Sequence, residues 1–553
     1  MHGLTTTCFL LLSCGVVMIL ARADDAVEGP LVNTTGGAVR GFSQRLRGTV
    51  VNTFIGIRYG KAPTGELRFR EPQPAEPWGG VLNATGTPPA CIQTNVYRGV
   101  EWAVPDEAEQ SEDCLFLNVW SPVVPPSTSN LTVMVWIHGG GFHQGSSSLP
   151  VYDGAFLAAY GHVVVVSMNY RLGSLGFLHG STQSAPGNQG LLDQSLALRW
   201  VRDNIASFGG DPGSITLFGE SAGSQSVLFH LLSPVSRPPF QRAIMQSGSL
   251  CTRSTKYSDH RQLARAHYLA RHLNCTRSSD PYAYLQEDDI ECLRRVDIRQ
   301  IRVAEELACS GRNCFRAIFG TSSLPDPCAV VDSGDKDILI GNVENEGLFF
   351  TSYSFPVGFS HEPLKNLTIH QTQLLLAPLI GTPSQEFLND VYDLYIGRLR
   401  DTDFEGLKRA VQDAWGDMMI KCPTILTSLK LASNPQNRVF YYVLNYTSDR
   451  TIENPWYGMT HFDDVQYVFG RPLLENRSSD DQTYSKKLIE LWTSFAKQGK
   501  KYLVDKYQWP QVRPDNLVAH KITNGPTEDT ILKLEGRCAF WLRLYLHHNS
   551  PSR

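Results

Sequence analysis

Ile215–Thr216–Leu217–Phe218–Gly219–Glu220–Ser221–Ala222–Gly223–Ser224 carries an apolar, strand-like run into a serine bracketed by glycines. The pattern is G-x-S-x-G. Gly219 and Gly223 remove side chains where an incoming strand and an outgoing helix nearly touch. That permits a strained turn which lifts the Ser221 hydroxyl toward a substrate. Alone, such a pentapeptide could equally be an inert surface loop. The surrounding sequence decides.

Upstream, residues 131–137 are almost continuously apolar and read as a buried strand. They end in His138–Gly139–Gly140–Gly141–Phe142, where glycines let backbone N–H groups turn inward. The N–H groups of Gly140, Gly141 and Ala222 together could face a developing oxyanion. Residues 163–170 form another apolar strand, and residues 191–208 have amphipathic helical spacing. Gly209–Gly210–Asp211–Pro212 is expected to stop that helix before the serine strand begins. Strand, helix and strand in this order imply a largely parallel α/β sheet. Residues 38–41, 50–59 and 115–120 add strands, whereas 63–78 reads as irregular surface. Residues 364–409, 484–498 and 540–546 read as helical, with Trp492 in the core.

The 553-residue chain is long for one domain, though elaborated α/β folds reach this size. A charged content of 19% argues against disorder. A net charge of −4 offers no general attraction for nucleic acid, but a locally acidic funnel could collect a cation. Residues 8–20 are nearly all apolar and Ala21–Arg22–Ala23 suits cleavage, so residues 1–23 read as a signal peptide. Residues 24–553 are then one secreted, extracellular domain with no later span for a membrane. The end of the chain lacks a hydrophobic tail, so no lipid anchor is expected. Glycosylation acceptors begin at Asn33, Asn83, Asn130, Asn274, Asn366, Asn445 and Asn476. Two of the twelve cysteines fall in the leader, and the rest are too sparse for a small disulfide scaffold. No paired C-x-x-C suggests a structural zinc site, and nothing calls for a cofactor.

Six stretches in consistent order make the chain resemble the cholinesterase and type-B carboxylesterase family over essentially its whole mature length. They are EDCLFLNVW (112–120), WIHGGGF (136–142), FGGDPGSITLFGESAG (208–223), ENEGLFF (344–350), MTHFDDVQYVFG (459–470) and LWTSFAKQG (491–499). The resemblance implies an α/β-hydrolase fold, a large and mostly parallel sheet flanked by helices, with a deep gorge. A serine nucleophile needs a histidine base and an acid to orient it, in chain order serine, acid, histidine. The family match selects His461 and Glu346 for Ser221. Asp463 and Asp464 are nearby alternatives for the acid; Asp464 matches an outer acidic position of the family. The resemblance also pairs Cys91–Cys114, Cys275–Cys292 and Cys422–Cys538. Cys251, Cys309, Cys314 and Cys328 lie beyond that set; Cys309–Cys314 and Cys251–Cys328 are the expected pairs, which spacing alone does not fix.

A quaternary ammonium is best held over aromatic faces. Trp102 stands near the family's choline-binding tryptophan, and Tyr152, Phe349 and Tyr353 match gorge aromatics. Glu220 matches an acid that favours a cation. Other positions depart from the pattern. Thr94–Asn95–Val96 lacks the rim aromatic and acid, and Ser254 stands where an acyl-pocket tryptophan is expected. The aromatic pair before Val330–Val331–Asp332 is absent, leaving Phe315 and Phe319 to compensate from shifted positions. The first expectation is therefore a secreted serine ester hydrolase able to cleave acetylcholine or related choline esters through an acyl-enzyme. A broad type-B carboxylesterase is the second, and a noncatalytic neuroligin-like adhesion or binding protein the third. The intact Ser221, Glu346 and His461 set argues against the third. A homodimer through the carboxy-terminal helices accompanies the first.

Overall fold

In a computed structural model, the residues described are 29–94, 103–123, 129–234, 240–249, 258–309, 314–319, 324–325, 333–355, 367–379, 385–448, 458–526, 528–531 and 536–547. Eleven strands form the main sheet. In chain order they are β1 (Phe42–Leu46), β2 (Thr49–Arg58), β3 (Phe116–Ser121), β4 (Leu131–Ile137), β5 (Val164–Met168) and β6 (Gly210–Glu220). β7 (Arg242–Gln246), β8 (Asp337–Val343), β9 (Arg438–Leu444), β10 (Val518–Ile522) and β11 (Glu528–Ile531) complete it. Across the sheet the order is β11-β10-β9-β8-β7-β6-β4-β5-β3-β2-β1. From β10 to β5 every neighbouring pair is parallel; the flanking pairs are antiparallel. The architecture is that of the α/β-hydrolases.

Period-two alternation explains why the central strands are apolar throughout. Val133, Val135, Ile137, Leu217 and Ile340 enter one buried cluster, while Met134, Trp136, Phe218 and Leu339 enter another. The helices Gln189–Asn204 and Ala222–Leu232 cover the first face through Leu191, Val201, Val227 and Phe229. The helix Ser479–Gln498 covers the second through Leu488, Trp492 and Phe495. Burying a side chain of this size contributes about 1.5–3 kcal/mol, so a polar residue on either face would be costly. A third cluster joins Leu376, Tyr395, Val411, Phe540 and Trp541 outside the sheet.

Two boundaries differ from the pattern reading. β6 begins at Gly210 and runs through Asp211–Pro212–Gly213, because a register shift between Gly210 and Ile215 removes Pro212 from the regular ladder. The preceding helix starts at Gln189 and tightens into a 3-10 turn over Ile205–Phe208, which Gly209 ends at φ 81°.

Parallel pairing sets Gly219 beside Ile137, Glu220 beside Gln246 and Gln246 beside Gly341. The loops after β4, β6, β7 and β8 therefore leave the sheet at one edge, where α/β proteins place their ligands. No helix among the described residues is long and apolar enough to cross a membrane. Asn33, Asn83, Asn130, Asn274 and Asn476 are exposed and Asn445 is half-buried; Asn366 and the leader lie outside the described residues.

Disulfides join Cys91 to Cys114, Cys275 to Cys292, Cys309 to Cys314 and Cys422 to Cys538. Cys251 and Cys328 lie outside the described residues. The Cys422–Cys538 bridge closes 116 residues and ties the last helix, Arg537–His547, to the third cluster. Peptide mapping without reductant is expected to recover all four pairs. Replacing both Cys422 and Cys538 by serine should destabilise the chain by about 4 kcal/mol, read as a lower urea midpoint for the carboxy-terminal helices. An unchanged midpoint would show that the helix docks without the bridge.

Candidate active site

Ser221 connects β6 to the helix Ala222–Leu232 with φ 56° and ψ −118°, a conformation that an L-residue adopts only under constraint. Its N–H donates to the Gln246 carbonyl at 2.9 Å, and its own carbonyl accepts from Gln225 N–H at 3.0 Å. The helix can begin here because Gly223 has no side chain. A Cβ there would stand 2.0 Å from the Ile137 carbonyl oxygen. Strand, turn and helix are thus locked by backbone contact.

The loop after β4 reaches the same place. Gly140 and Gly141 adopt φ 96° and 66°, and Gly140 O accepts two N–H donors, from His143 and Gln144, each at 3.2 Å. Such successive left-handed residues turn backbone N–H groups to one side. Tyr170 OH donates to the His138 carbonyl at 2.8 Å, and its ring stacks on the His138 imidazole at 4.4 Å. Burial lowers the His138 pKa to about 4, so this ring is neutral and acts by packing. A second brace was not legible in the sequence. Glu305 accepts from Ser174 N–H at 2.9 Å and from its hydroxyl at 2.5 Å, while Gly173 N–H donates to the Phe142 carbonyl at 2.8 Å. The Glu305 helix thereby holds the loop that contains Gly140 and Gly141.

Glu346 and His461, 115 residues apart, meet because two loops pair through a parallel bridge between Asn345 and Thr460. His461 Nδ1–H donates to Glu346 Oε2 at 2.6 Å, and Val343 N–H donates to Oε1 at 2.9 Å. Both side chains are buried. Asp463 forms the local turn by accepting from Thr460 N–H at 2.8 Å, so it shapes the histidine loop. Asp464 accepts from Gln246 Nε2 at 2.7 Å, and Gln246 Oε1 accepts from Trp492 Nε1 at 3.0 Å. Gln246 therefore connects the serine turn, Asp464 and the core helix. No motif pointed to it.

His461 Nε2 lies 3.1 Å from Glu220 Oε1, directly before Ser221 in the chain. This approach is out of line for a hydrogen bond: Glu220 Oε1 has no hydrogen-bond partner among the described residues. Burial drives the Glu220 carboxyl well above the usual range, opposed by His461. Burial alone would lower His461, but Glu220, Glu346 and Asp464 reverse the sign and raise it. Each group thus opposes part of the burial cost of the other's charge. Asp464 is raised to about 6, chiefly by burial.

The aromatic positions separate into two kinds. Tyr152 is buried against Trp136, His138, Phe462 and Phe469, close to Glu220. Phe349 is half-buried, 5.4 Å from the His461 ring and 4.9 Å from Tyr353. Phe350, which the sequence reading passed over, also packs on His461 at 5.2 Å. Trp102, Asn95, Val96 and Ser254 lie outside the described residues. No group of three or more His, Cys, Asp or Glu that could hold a metal occurs among the described residues.

The effect of Glu220 on the histidine can be read directly. Replacing Glu220 by Gln should lower the pH at which His461 titrates by about one unit or more, the equivalent of about 1.4 kcal/mol per unit. The sign follows from removing one charge that favours imidazolium. Histidine-labelled NMR titration of the native chain and of Glu220→Gln gives the comparison; coincident curves would mean that Glu220 carries no charge there.

Residues 28–541 match the carboxylesterase family model. Acetylcholinesterase-1 of Trittame loki is 34% identical over 553 residues, covering 97% of this chain and 98% of that protein. Cholinesterase of Mus musculus is 38% identical over 489 residues, covering 85% and 79%. With the serine turn, the histidine–glutamate pair and the sheet order already in place, this extent of similarity leads to one conclusion: the chain belongs to the carboxylesterase family.

Proposed function

We propose that the chain is a secreted serine carboxylic ester hydrolase of cholinesterase type, working through an acyl-enzyme on Ser221. The observation that carries this reading is the 2.6 Å Glu346–His461 bond beside a serine held at φ 56°. Glu346 fixes Nδ1–H, which leaves Nε2 to take the Ser221 proton as Oγ attacks the ester carbon. The N–H groups of Gly140, Gly141 and Ala222 stabilise the oxyanion, and His461 returns its proton to the departing alcohol. Water then repeats the sequence and frees the acid. Asp464 supports this centre electrostatically without touching substrate.

The acidic wall supports a cationic alcohol group. Glu220 lies beside the histidine, Phe349 and Tyr353 offer ring faces, and Trp102 is near the family's choline-binding tryptophan by resemblance. The names of the two relatives, acetylcholinesterase and cholinesterase, agree with that choice. Secretion rests on the leader pattern and on exposed acceptors such as Asn33 and Asn83. The same reading includes a homodimer through the carboxy-terminal helices. A broad carboxylesterase is the second reading. It is favoured by Phe315, which is buried in the main core and so adds no exposed aromatic to an acyl wall.

An organophosphate should inactivate the chain with one adduct on Ser221, found by peptide mass spectrometry. Ser221→Ala should abolish turnover, and His461→Ala should reduce it by about four orders of magnitude or more. Stoichiometric inactivation without a Ser221 adduct would remove the assignment.

Choline-ester selectivity has its own test. A desolvated cation–π contact contributes about 2 kcal/mol, roughly thirty-fold in rate. Trp102→Ala should therefore lose about thirty-fold more kcat/KM on a choline ester than on a neutral ester with the same acyl group. Equal losses would make Trp102 a packing residue, and hydrolysis of neutral esters alone would favour the second reading.

A further inference from the structure

A second serine–histidine pair lies outside the site described above. The short hairpin His179–Thr182 and Ala185–Pro186 pairs His179 with Pro186 and Thr182 with Ala185, with an irregular register between them. Ser181 falls in that irregularity at φ 57°, almost the value of Ser221. Thr182 Oγ1 accepts from Ala185 N–H at 3.0 Å and fixes the turn. His179 Nδ1 lies 3.2 Å from the Pro186 carbonyl, and Nε2 lies 3.0 Å from Ser181 Oγ.

With a neutral ring, these contacts set the proton positions. A carbonyl only accepts, so Nδ1 carries the hydrogen, and in the neutral ring Nε2 keeps its lone pair. The Ser181 hydroxyl must then donate to Nε2. A nucleophile is thus bonded to a base, and the base is oriented by a third group. The ring is held in place: a Cβ on Gly187 would stand 3.2 Å from His179 Nδ1 and 2.7 Å from Ile318. His179 is 9% exposed, whereas Ser181 is exposed and opens onto a cleft of about 440 Å³. Thr182, Tyr284, Leu285, Gln286 and Glu287 also line it, and Tyr284 is 60% exposed. Glu287, Asp288 and Asp289 make that rim acidic, which disfavours anionic reagents, while Tyr284 offers a ring to an aromatic group.

We propose that Ser181 and His179 form a second acyl-accepting site, specific for neutral or cationic aryl esters and independent of Ser221. Ser181 Oγ forms a bond to the acyl carbon as the bond from that carbon to the aryl oxygen breaks. The hydroxyl proton passes to His179 Nε2 and then to the departing aryl oxide, giving acyl-Ser181 and a phenol. A phenol leaves with a pKa of about 10 or below, whereas release of the acyl group must expel a much more basic serine alkoxide. With a backbone carbonyl rather than a carboxylate behind His179, that expulsion is weakly assisted, so the site takes up one acyl group per chain and retains it.

The test uses the full chain carrying Ser221→Ala, incubated with 4-nitrophenyl acetate at neutral pH. The expected result is one equivalent of 4-nitrophenol per chain and an acetyl group on Ser181 by peptide mass spectrometry. Adding Ser181→Ala should abolish the adduct, and adding His179→Ala should slow it by about a hundred-fold or more, the usual contribution of a positioned base. Ser181→Ala in the otherwise native chain should leave turnover at Ser221 unchanged, which shows that the fold is intact and separates this site from the one above. Absence of acetyl-Ser181, acetylation confined to other side chains, or acetylation equally fast without His179 would overturn the proposal.

Discussion

A single methyl group at position 223 would lie 2.0 Å from the carbonyl oxygen of Ile137, well inside any tolerable contact. This close approach of two backbones is the constraint from which the site is built. It lets the helix Ala222–Leu232 start directly against the end of β4, forcing Ser221 into a conformation that strand and helix must jointly maintain. The cost of that conformation, of order 1–3 kcal/mol, is small beside the apolar burial on both faces of the sheet. Because Gly219 is in register with Ile137, the same contact brings the Gly140–Gly141 loop over the serine.

Electrostatics follow from that placement. Glu220, Glu346 and Asp464 lie buried around one imidazole, so each carboxylate interacts with it more strongly than it would in solvent. Glu346 is bonded to the ring, Asp464 is tied to Gln246, and Glu220 alone is near the ring without a hydrogen bond at Oε1. Unequal support gives the three acids unequal roles. The acid without a hydrogen bond at Oε1 is the one next to Ser221 in the chain.

Serines at φ 56° and φ 57° occur in two settings with different support. Ser221 sits at the end of a parallel strand, with glycine-rich backbone facing it and a carboxylate behind its histidine. Ser181 sits in a surface hairpin, with a backbone carbonyl behind its histidine and an open cleft before it. A carboxylate stabilises imidazolium far better than a carbonyl does, so the two histidines are unequally supported.

The amino-acid sequence alone determined the strand–turn–helix about Ser221, the glycine loop after residues 131–137 and the apolar strands buried on both faces. Those features depend on neighbours in the chain, and their periodicity records the surroundings they require. The sequence also pointed to Glu346 and His461, but only through resemblance: nothing local marks a histidine as a base. The tertiary structure alone decided that Asn345 pairs with Thr460 and so closes the 2.6 Å bond. It likewise decided that Gln246 joins Ser221 to Asp464, that Glu305 braces the Phe142 loop, and that Tyr152 is buried. Each of these contacts joins segments distant in the chain, and its energy depends on orientation and burial, which residue type and spacing do not encode.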